Sequence, residues 1–379
     1  MIRILYLITD LDIGGAEKNL YYLTSHLDKK KFSPRVISLQ GEGEIAGLLK
    51  KEGIYVYPYG AKSKKNFTIF PFHLFKVTRK FKPHILHTFL FHANFTGRII
   101  GRLAGVPCII SSVRVMEKEK RWHIWLEGWS KNLIDKEICV CRAVKDFRKE
   151  EVGIREDKLA VIYNGLDPER IKAVKPCSRK KLGVSEKTFL IGTVSRLEKQ
   201  KGLPYLFEAM KILSRENPDV MLLILGKGEE AEKLKERVKE MKLENNIIFL
   251  GFRKDILPVI ASLDLFVLSS LWEGFPNALL EAQALGIPAV VTGVGGTGEI
   301  VREGKSGIIV RAGDSKMLAG GMAALMKNRE LLKKMGEEAK KILNVFTIER
   351  MVREHENLYQ ELLQEKYGRI FASLSKDLK

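Results

Sequence analysis

Thirteen short apolar runs, each separated from the next by a longer amphipathic stretch, set the tightest limit on how these 379 residues fold. In the first half they are Ile2–Ile8, Arg35–Leu39, Tyr55–Tyr57, Ile85–His87, Ile109–Ser112, Glu137–Val140 and Ala160–Ile162. In the second they are Leu190–Val194, Met221–Leu225, Ile247–Leu250, Leu265–Leu268, Ala289–Val291 and Gly307–Val310. Runs this short and continuous suit strands buried on both faces. The intervening periodicity, as at Leu234, Val238 and Met241, suits helices. The alternation predicts an α/β chain with parallel sheets, and its length favours two domains. The expected division is 1–170, joined by a last helix at about 349–379, against 171–348. The polar, proline-containing stretch from Asn164 to Leu182 reads as the hinge.

Composition narrows the class. Hydrophobic residues make up 45% of the chain and charged residues 29%, which are globular proportions. The four cysteines form neither a C-x-x-C pair nor a zinc spacing, so free thiols in a reducing cytoplasm are expected. The first apolar run is too short for a signal peptide, and none approaches a membrane span. The net charge of +19, denser in the first 170 residues, asks for an anionic partner: a membrane, an acidic acceptor or nucleic acid.

The chemistry concentrates at strand ends. Glu273 and Glu281 frame Glu273-Gly-Phe-Pro-Asn-Ala-Leu-Leu-Glu281, a tight loop running into a helix. Amides of Phe275, Asn277, Ala278 and Leu279 at that helix start suit a phosphate, while the two carboxylates suit sugar or ribose hydroxyls. Arg196 and Lys201, in the loop after the strand at Leu190, suit a diphosphate. Gly251, Phe252 and Arg253 suit the edge of a base. Gly14-Gly15 opens the first helix and lets a ligand approach Gly15, although the spacing is not that of a dinucleotide fingerprint. His84, His87 and His92 cluster near one strand end. They lack the further ligands that zinc requires, so no metal is expected, and His87 and His92 are candidates to face a substrate.

One stretch is basic and aromatic together. Residues 62–82 carry Lys62, Lys64, Lys65, Lys76, Arg79, Lys80 and Lys82 among five phenylalanines, with no acid. Trp122, Trp125 and Trp129 follow at helical spacing beside Lys118, Lys120 and Arg121. Such segments suit an anionic lipid surface; the same composition also stacks single-stranded nucleic acid.

Five motifs in register give the chain a family likeness. Gly14-Gly15-Ala16-Glu17, Asn164-Gly165-Leu166-Asp167, Gly192 to Gly202, Gly251-Phe252 and Glu273 to Glu281 together resemble glycosyltransferase family 4, over nearly the whole chain. The resemblance implies a GT-B fold: two Rossmann-like, doubly wound domains facing a central cleft, with the C-terminal helix crossing back to the first. It implies a retaining, metal-independent transfer without a cofactor, from a nucleotide-sugar held by the second domain to an acceptor on the first. Glu281 would hold the ribose, Glu273 the donor sugar, and Arg196 with Lys201 the diphosphate, completed by amides of Gly15 and of Asn277 to Leu279. Gly251 to Arg253 would lie along the base. Where family members carry a histidine, this chain reads Ser111-Ser112-Val113-Arg114. Arg114, Asn164, His87 and His92 are therefore the candidates near the acceptor or sugar.

The expected partners are a nucleotide-sugar (a UDP-sugar first, GDP- or ADP-sugar next), a lipid-linked or cell-envelope glycan, and an anionic membrane surface at residues 62–82 and 122–129. The expected place is the cytoplasm, peripherally on the inner membrane face. A nucleotide-sugar epimerase or a phosphorylase of the same build is the alternative. A nucleic-acid binder would explain the charge but none of the glycine and glutamate motifs.

Overall fold

The structure is a computed structural model that describes residues 1–60, 64–117 and 119–374. It divides into two compact units. One is Met1–Gly165 together with the chain from Ile348 onward, and the other is Leu166–Thr347. The chain thus passes between them twice, at 165–166 and at 347–348.

The first unit holds β1 (Ile2–Ile8), β2 (Phe32–Ser38), β3 (Tyr55–Pro58), β4 (Ile85–Phe89), β5 (Cys108–Val113), β6 (Lys136–Cys139) and β7 (Leu159–Val161), in the order β3-β2-β1-β4-β5-β6-β7. The second holds β8 (Phe189–Val194), β9 (Val220–Leu225), β10 (Ile247–Gly251), β11 (Leu265–Leu268), β12 (Ala289–Thr292) and β13 (Gly307–Val310), in the order β10-β9-β8-β11-β12-β13. Every pairing is parallel. Each sheet therefore starts in its middle, runs outward one way, then returns and runs the other. The reversals lie between β1 and β4 and between β8 and β11. At such a switch the connecting loops diverge and leave a crevice at the carboxyl ends of the strands.

Burial explains why the strand runs are continuous. Every residue of β4, β5, β11 and β12 is buried, because helices cover both faces of each sheet. Leu203–Glu216 shows the matching helical logic: Leu206, Phe207, Met210 and Leu213 form one buried stripe. Beneath the first sheet lies a buried ionic cluster. Glu137 accepts from Arg98 at 2.8 Å and from Arg148 at 2.6 Å, and Arg148 also pairs with Glu127. Burial alone would raise the Glu137 carboxyl, yet the two guanidiniums, Arg148 above all, hold it below its ordinary range.

The last helix, Ile348–Leu374, belongs to the first unit. Ile348, Met351, Val352, Leu358, Tyr359, Leu362 and Leu363 are buried in that unit's core. Tyr359 Oη lies 3.1 Å from Tyr6 Oη and 2.7 Å from His87 Nδ1, and Lys366 reaches Asp135 at 2.7 Å.

Candidate functional site

In the second unit the loops at the β8/β11 switch carry charged side chains. The loop after β8 carries Arg196 and Lys201, and the loop after β11 carries Glu273. Lys201 Nζ lies 2.6 Å from Glu273 Oε1, and Ser270 Oγ donates to the same oxygen at 2.7 Å. Both charges are largely withdrawn from water, the Lys201 side chain 13% exposed and that of Glu273 6%. The carboxylate is thereby fixed in orientation, with Oε2 outside these two bonds.

The two loops are sewn together by backbone contacts. Leu271 N donates to Gln200 O at 2.8 Å, Gln200 Nε2 to Trp272 O at 2.8 Å, and Ser269 Oγ to Lys201 O at 2.9 Å. Gly202 makes that approach possible. Its φ is +58°, and a Cβ there would sit 2.2 Å from Ser269 O. Gly295, φ +57°, plays the same part for the loop after β12, where a Cβ would lie 2.5 Å from Glu273 O. No flexible loop could hold a buried ion pair in one geometry; a loop tied at this many points can.

Beyond Glu273 the chain enters the helix Asn277–Ala284 with no side-chain cap from Pro276. The first-turn amides of Ala278 and Leu279 have no acceptor within the helix, and the helix dipole makes its start attractive to an anion. Only Asn277, Ala278 and Glu281 along this helix are part-exposed; the rest is buried. Spacings of three and four place them on one face, so Glu281 stands one turn beyond the helix start, beside that anion position. The Phe275 ring is buried and packs against Phe346, ring centroids 5.3 Å apart, which positions the loop that carries its amide.

Arg196 does not join Lys201. It is exposed and pairs with Glu198 at 2.9 Å. Gly251 ends β10 with φ +68° and a register shift, which turns the chain outward. Phe252 is 43% exposed with the Lys227 ammonium 4.8 Å above its ring, and Arg253 is exposed. That pair presents a flat, cationic edge.

The first unit's crevice, at β1/β4, is built differently. Gly14 caps the helix Gly15–His26, and Glu17, 6% exposed, occupies its first turn close against Gly14. Arg114 leaves the end of β5 half-buried, and burial pulls its guanidinium down to about 10, against the pull of Glu17, so it stays a cation at neutral pH. It donates to Asn164 Oδ1, which also accepts from Asn19 Nδ2 at 2.9 Å. Asn164 is 5% exposed, and Asn19 Oδ1 is buried with no hydrogen-bond partner among the described residues.

His87 requires a correction. It is fully buried under the Ile348–Leu374 helix, with Nδ1 at Tyr359 Oη and Nε2 at Ser112 Oγ, 2.8 Å. Both ring nitrogens are spent on packing that helix, and burial pushes its pKa well down. It does not face a ligand. His92, by contrast, is exposed on the first turn of the helix Phe91–Leu103, directly after β4.

His92 also stands at one end of an apolar groove of about 420 Å³ between the helices Lys64–Phe81, Phe91–Leu103 and Arg121–Ser130. Phe91, Phe95, Ile99, Trp122 and Leu126 line it. Around it Trp122, Trp125 and Trp129 are 54%, 68% and 63% exposed, and Phe72 is 60% exposed. Lys62 and Lys118 lie outside the described residues. Among the described residues no helix is long and apolar enough to cross a membrane, and no group of three or more His, Cys, Asp or Glu side chains is placed to hold a metal ion.

Sequence reading missed Ser270, Asn19 and the Phe91/Phe95 pair. The signals were slight: a serine three residues before a glutamate, and two aromatics four apart at a helix start.

Residues 13–170 match the family model described as Glycosyltransferase Family 4, and residues 174–342 match that described as Glycosyl transferases group 1. Among curated relatives, the UDP-Gal:alpha-D-GlcNAc-diphosphoundecaprenol alpha-1,3-galactosyltransferase of Escherichia coli is 31% identical over 306 residues, 77% of this chain and 79% of that one. The N-acetyl-alpha-D-glucosaminyl L-malate synthase of Bacillus anthracis is 31% identical over 216 residues, 56% of each chain. Among solved structures, Anabaena HepE in complex with UDP-glucose superposes with a TM-score of 0.84 at 23% identity, covering 95% of this chain and all of that one. At that identity the likeness speaks for the fold.

Proposed function

Since the chain belongs to the glycosyltransferases, with a Family 4 region followed by a group 1 region, we propose that it transfers a sugar from a UDP-sugar to a lipid-linked or cell-envelope glycan, with retained anomeric configuration and without a metal ion. The observation that carries this reading is the Lys201–Glu273 pair, buried at the β8/β11 switch beside the start of the Asn277–Ala284 helix. An ion pair without a ligand is an expensive way to stabilise a loop, because both charges are desolvated. It makes sense as a preorganised polar surface: Glu273 for sugar hydroxyls, Lys201 for a phosphate, each already oriented.

In this reading Glu281 takes the ribose hydroxyls, and the amides of Asn277, Ala278 and Leu279 take the diphosphate. Phe252 and Arg253, turned outward at Gly251, lie along the base. Arg196, exposed and tied to one carboxylate, swings onto the diphosphate as it departs. Its charge, with that of Lys201 and the helix start, does the work a metal would otherwise do. In the first unit, Arg114, Asn164 and His92 bear on the acceptor, and the Gly15 amide offers a further anion contact. The uridine and the lipid-linked acceptor are supported by what the Escherichia coli relative is named for, and the uridine by the UDP-glucose in the HepE structure. The exposed tryptophans and the basic Lys64–Phe81 helix support peripheral attachment to an anionic membrane on its cytoplasmic side.

The test is a donor screen with UDP-, GDP- and ADP-sugars and a lipid extract, read by released nucleotide and by mass spectrometry of the product. Release from a UDP-sugar that depends on the lipid and persists in a chelator supports the reading. Release without any acceptor, phosphate consumption, or dependence on a divalent ion contradicts it.

A further inference from the structure

The basic stretch of the first unit is not one surface. The Lys64–Phe81 helix follows β3 and returns antiparallel to the strands, so it begins at their carboxyl edge and ends at their amino edge. Its last turn closes a separate groove of about 700 Å³ over the face of β1, β2 and β3. Alternate residues of those strands line it: Arg3 and Leu5, Ser33 and Arg35, Tyr55 and Tyr57. The middle of the helix adds His73, its last turn Lys80, and the turn after it Lys82.

Four cations therefore converge here, and no carboxylate lines the groove. Among the described residues none of Arg3, Arg35, Lys80 and Lys82 has an acidic partner. Arg98, Arg102, Arg148 and Arg155 of the same unit, by contrast, each have one. The two arginines are also held in place. The Arg35 guanidinium is stacked 4.2 Å from the Phe81 ring and 5.2 Å from that of Tyr55, which fixes its plane while its N–H fork stays unspent. Arg3 Nε donates at 2.8 Å to the carbonyl of Lys82, whose φ of +49° marks a fixed turn. His73 stacks on Tyr57 at 5.1 Å, and its Nε2 is buried with no partner among the described residues.

We infer that this groove is a second anion site, taking a phosphate ester through the Arg35 fork and the two lysines. It lies at the amino edge of the sheet, opposite the β1/β4 crevice, and does not depend on the donor reading. A fixed guanidinium beside two mobile ammoniums, with Ser33 and Tyr57 hydroxyls at hand, matches a tetrahedral oxyanion bearing an organic substituent. That substituent belongs either to a lipid headgroup or to a free phosphate ester.

The experiment reads the Arg35 Nε–Hε signal of the whole protein by NMR, assigned by its loss in Arg35→Lys. Glycerol phosphate is titrated in one arm, and phosphatidylglycerol vesicles against phosphatidylcholine vesicles in the other. The expected result is a saturable shift, about tenfold weaker in affinity in Lys80→Gln/Lys82→Asn, two exposed changes of which the second keeps a residue suited to positive φ. A shift with glycerol phosphate identifies a free ester; a shift only with phosphatidylglycerol vesicles identifies a headgroup. No shift in either arm, or a shift undiminished in the double variant, overturns the inference. Because the signal is local to Arg35, phosphate bound in the second unit leaves it unmoved.

Discussion

The two units share one strand order and differ in what stands at the switch point. In the second, a buried ion pair is locked by a serine and by loops tied at Gly202 and Gly295. In the first, the polar groups are a half-buried arginine, a buried glutamate and two asparagines, beside an apolar groove with exposed tryptophans. The first arrangement is tied down and presents one charge pattern. The second presents mostly apolar surface. The histidines divide the same way: all seven lie in the first unit and none between Leu166 and Thr347.

The sharpest way to break this comparison is at Glu273. Glu273→Gln keeps the shape and removes the charge, so nucleotide release should fall about 10²–10³-fold while the protein stays folded. Lys201→Ala should do similar damage for another reason. It leaves a carboxylate buried without its cation, at a cost of about 3–5 kcal/mol, and the melting of the second unit should show it. If both variants keep wild-type turnover, the pair is structural and the contrast between the units disappears.

Acid should separate the units next. Burial lowers the pKa of His355 to about 4 and that of His87 well below its ordinary value. A base whose folded pKa is depressed binds its proton more readily when unfolded. Stability is therefore full above about pH 6.5 and declines as pH falls towards 4, by roughly 3 kcal/mol for His355 alone. The first unit, whose last helix carries His355 and packs over His87, should loosen first, as seen by hydrogen exchange at Met351–Leu363. Simultaneous loosening of both units between pH 6.5 and 4 would count against the assignment.

Smaller effects refine the picture. Glu281→Ala, on a part-exposed position, should weaken UDP binding roughly 10- to 100-fold by calorimetry without lowering the melting temperature. Trp122→Ala, at the groove, should leave UDP binding intact and weaken binding to anionic vesicles by roughly three- to tenfold. The reverse pattern in either variant would exchange the roles of the units.

Much of this was readable in the sequence, for reasons that also mark the limits. Buried parallel strands are continuous apolar runs, so each of the thirteen expected runs overlaps an observed strand, Ile2–Ile8, Leu265–Leu268 and Gly307–Val310 to the residue. The helix start after Glu273 and the turn of Glu281 beyond it are local facts and were equally legible. What failed was long-range. His87 had the sequence surroundings of a site residue, but its partners Ser112 and Tyr359 lie 25 and 272 positions away. Lys201 and Arg196 looked alike on one loop, yet only Lys201 meets a carboxylate 72 positions distant. The basic residues of 62–82 looked like one patch because periodicity does not say which edge of a sheet a helix ends on.

The most direct measurement is hydrogen–deuterium exchange of the whole protein with and without a UDP-sugar. New protection is expected in the second unit at 196–202, 251–253 and 273–281. Protection confined to the first unit, or none at those three segments under saturating donor, would contradict the donor site proposed there.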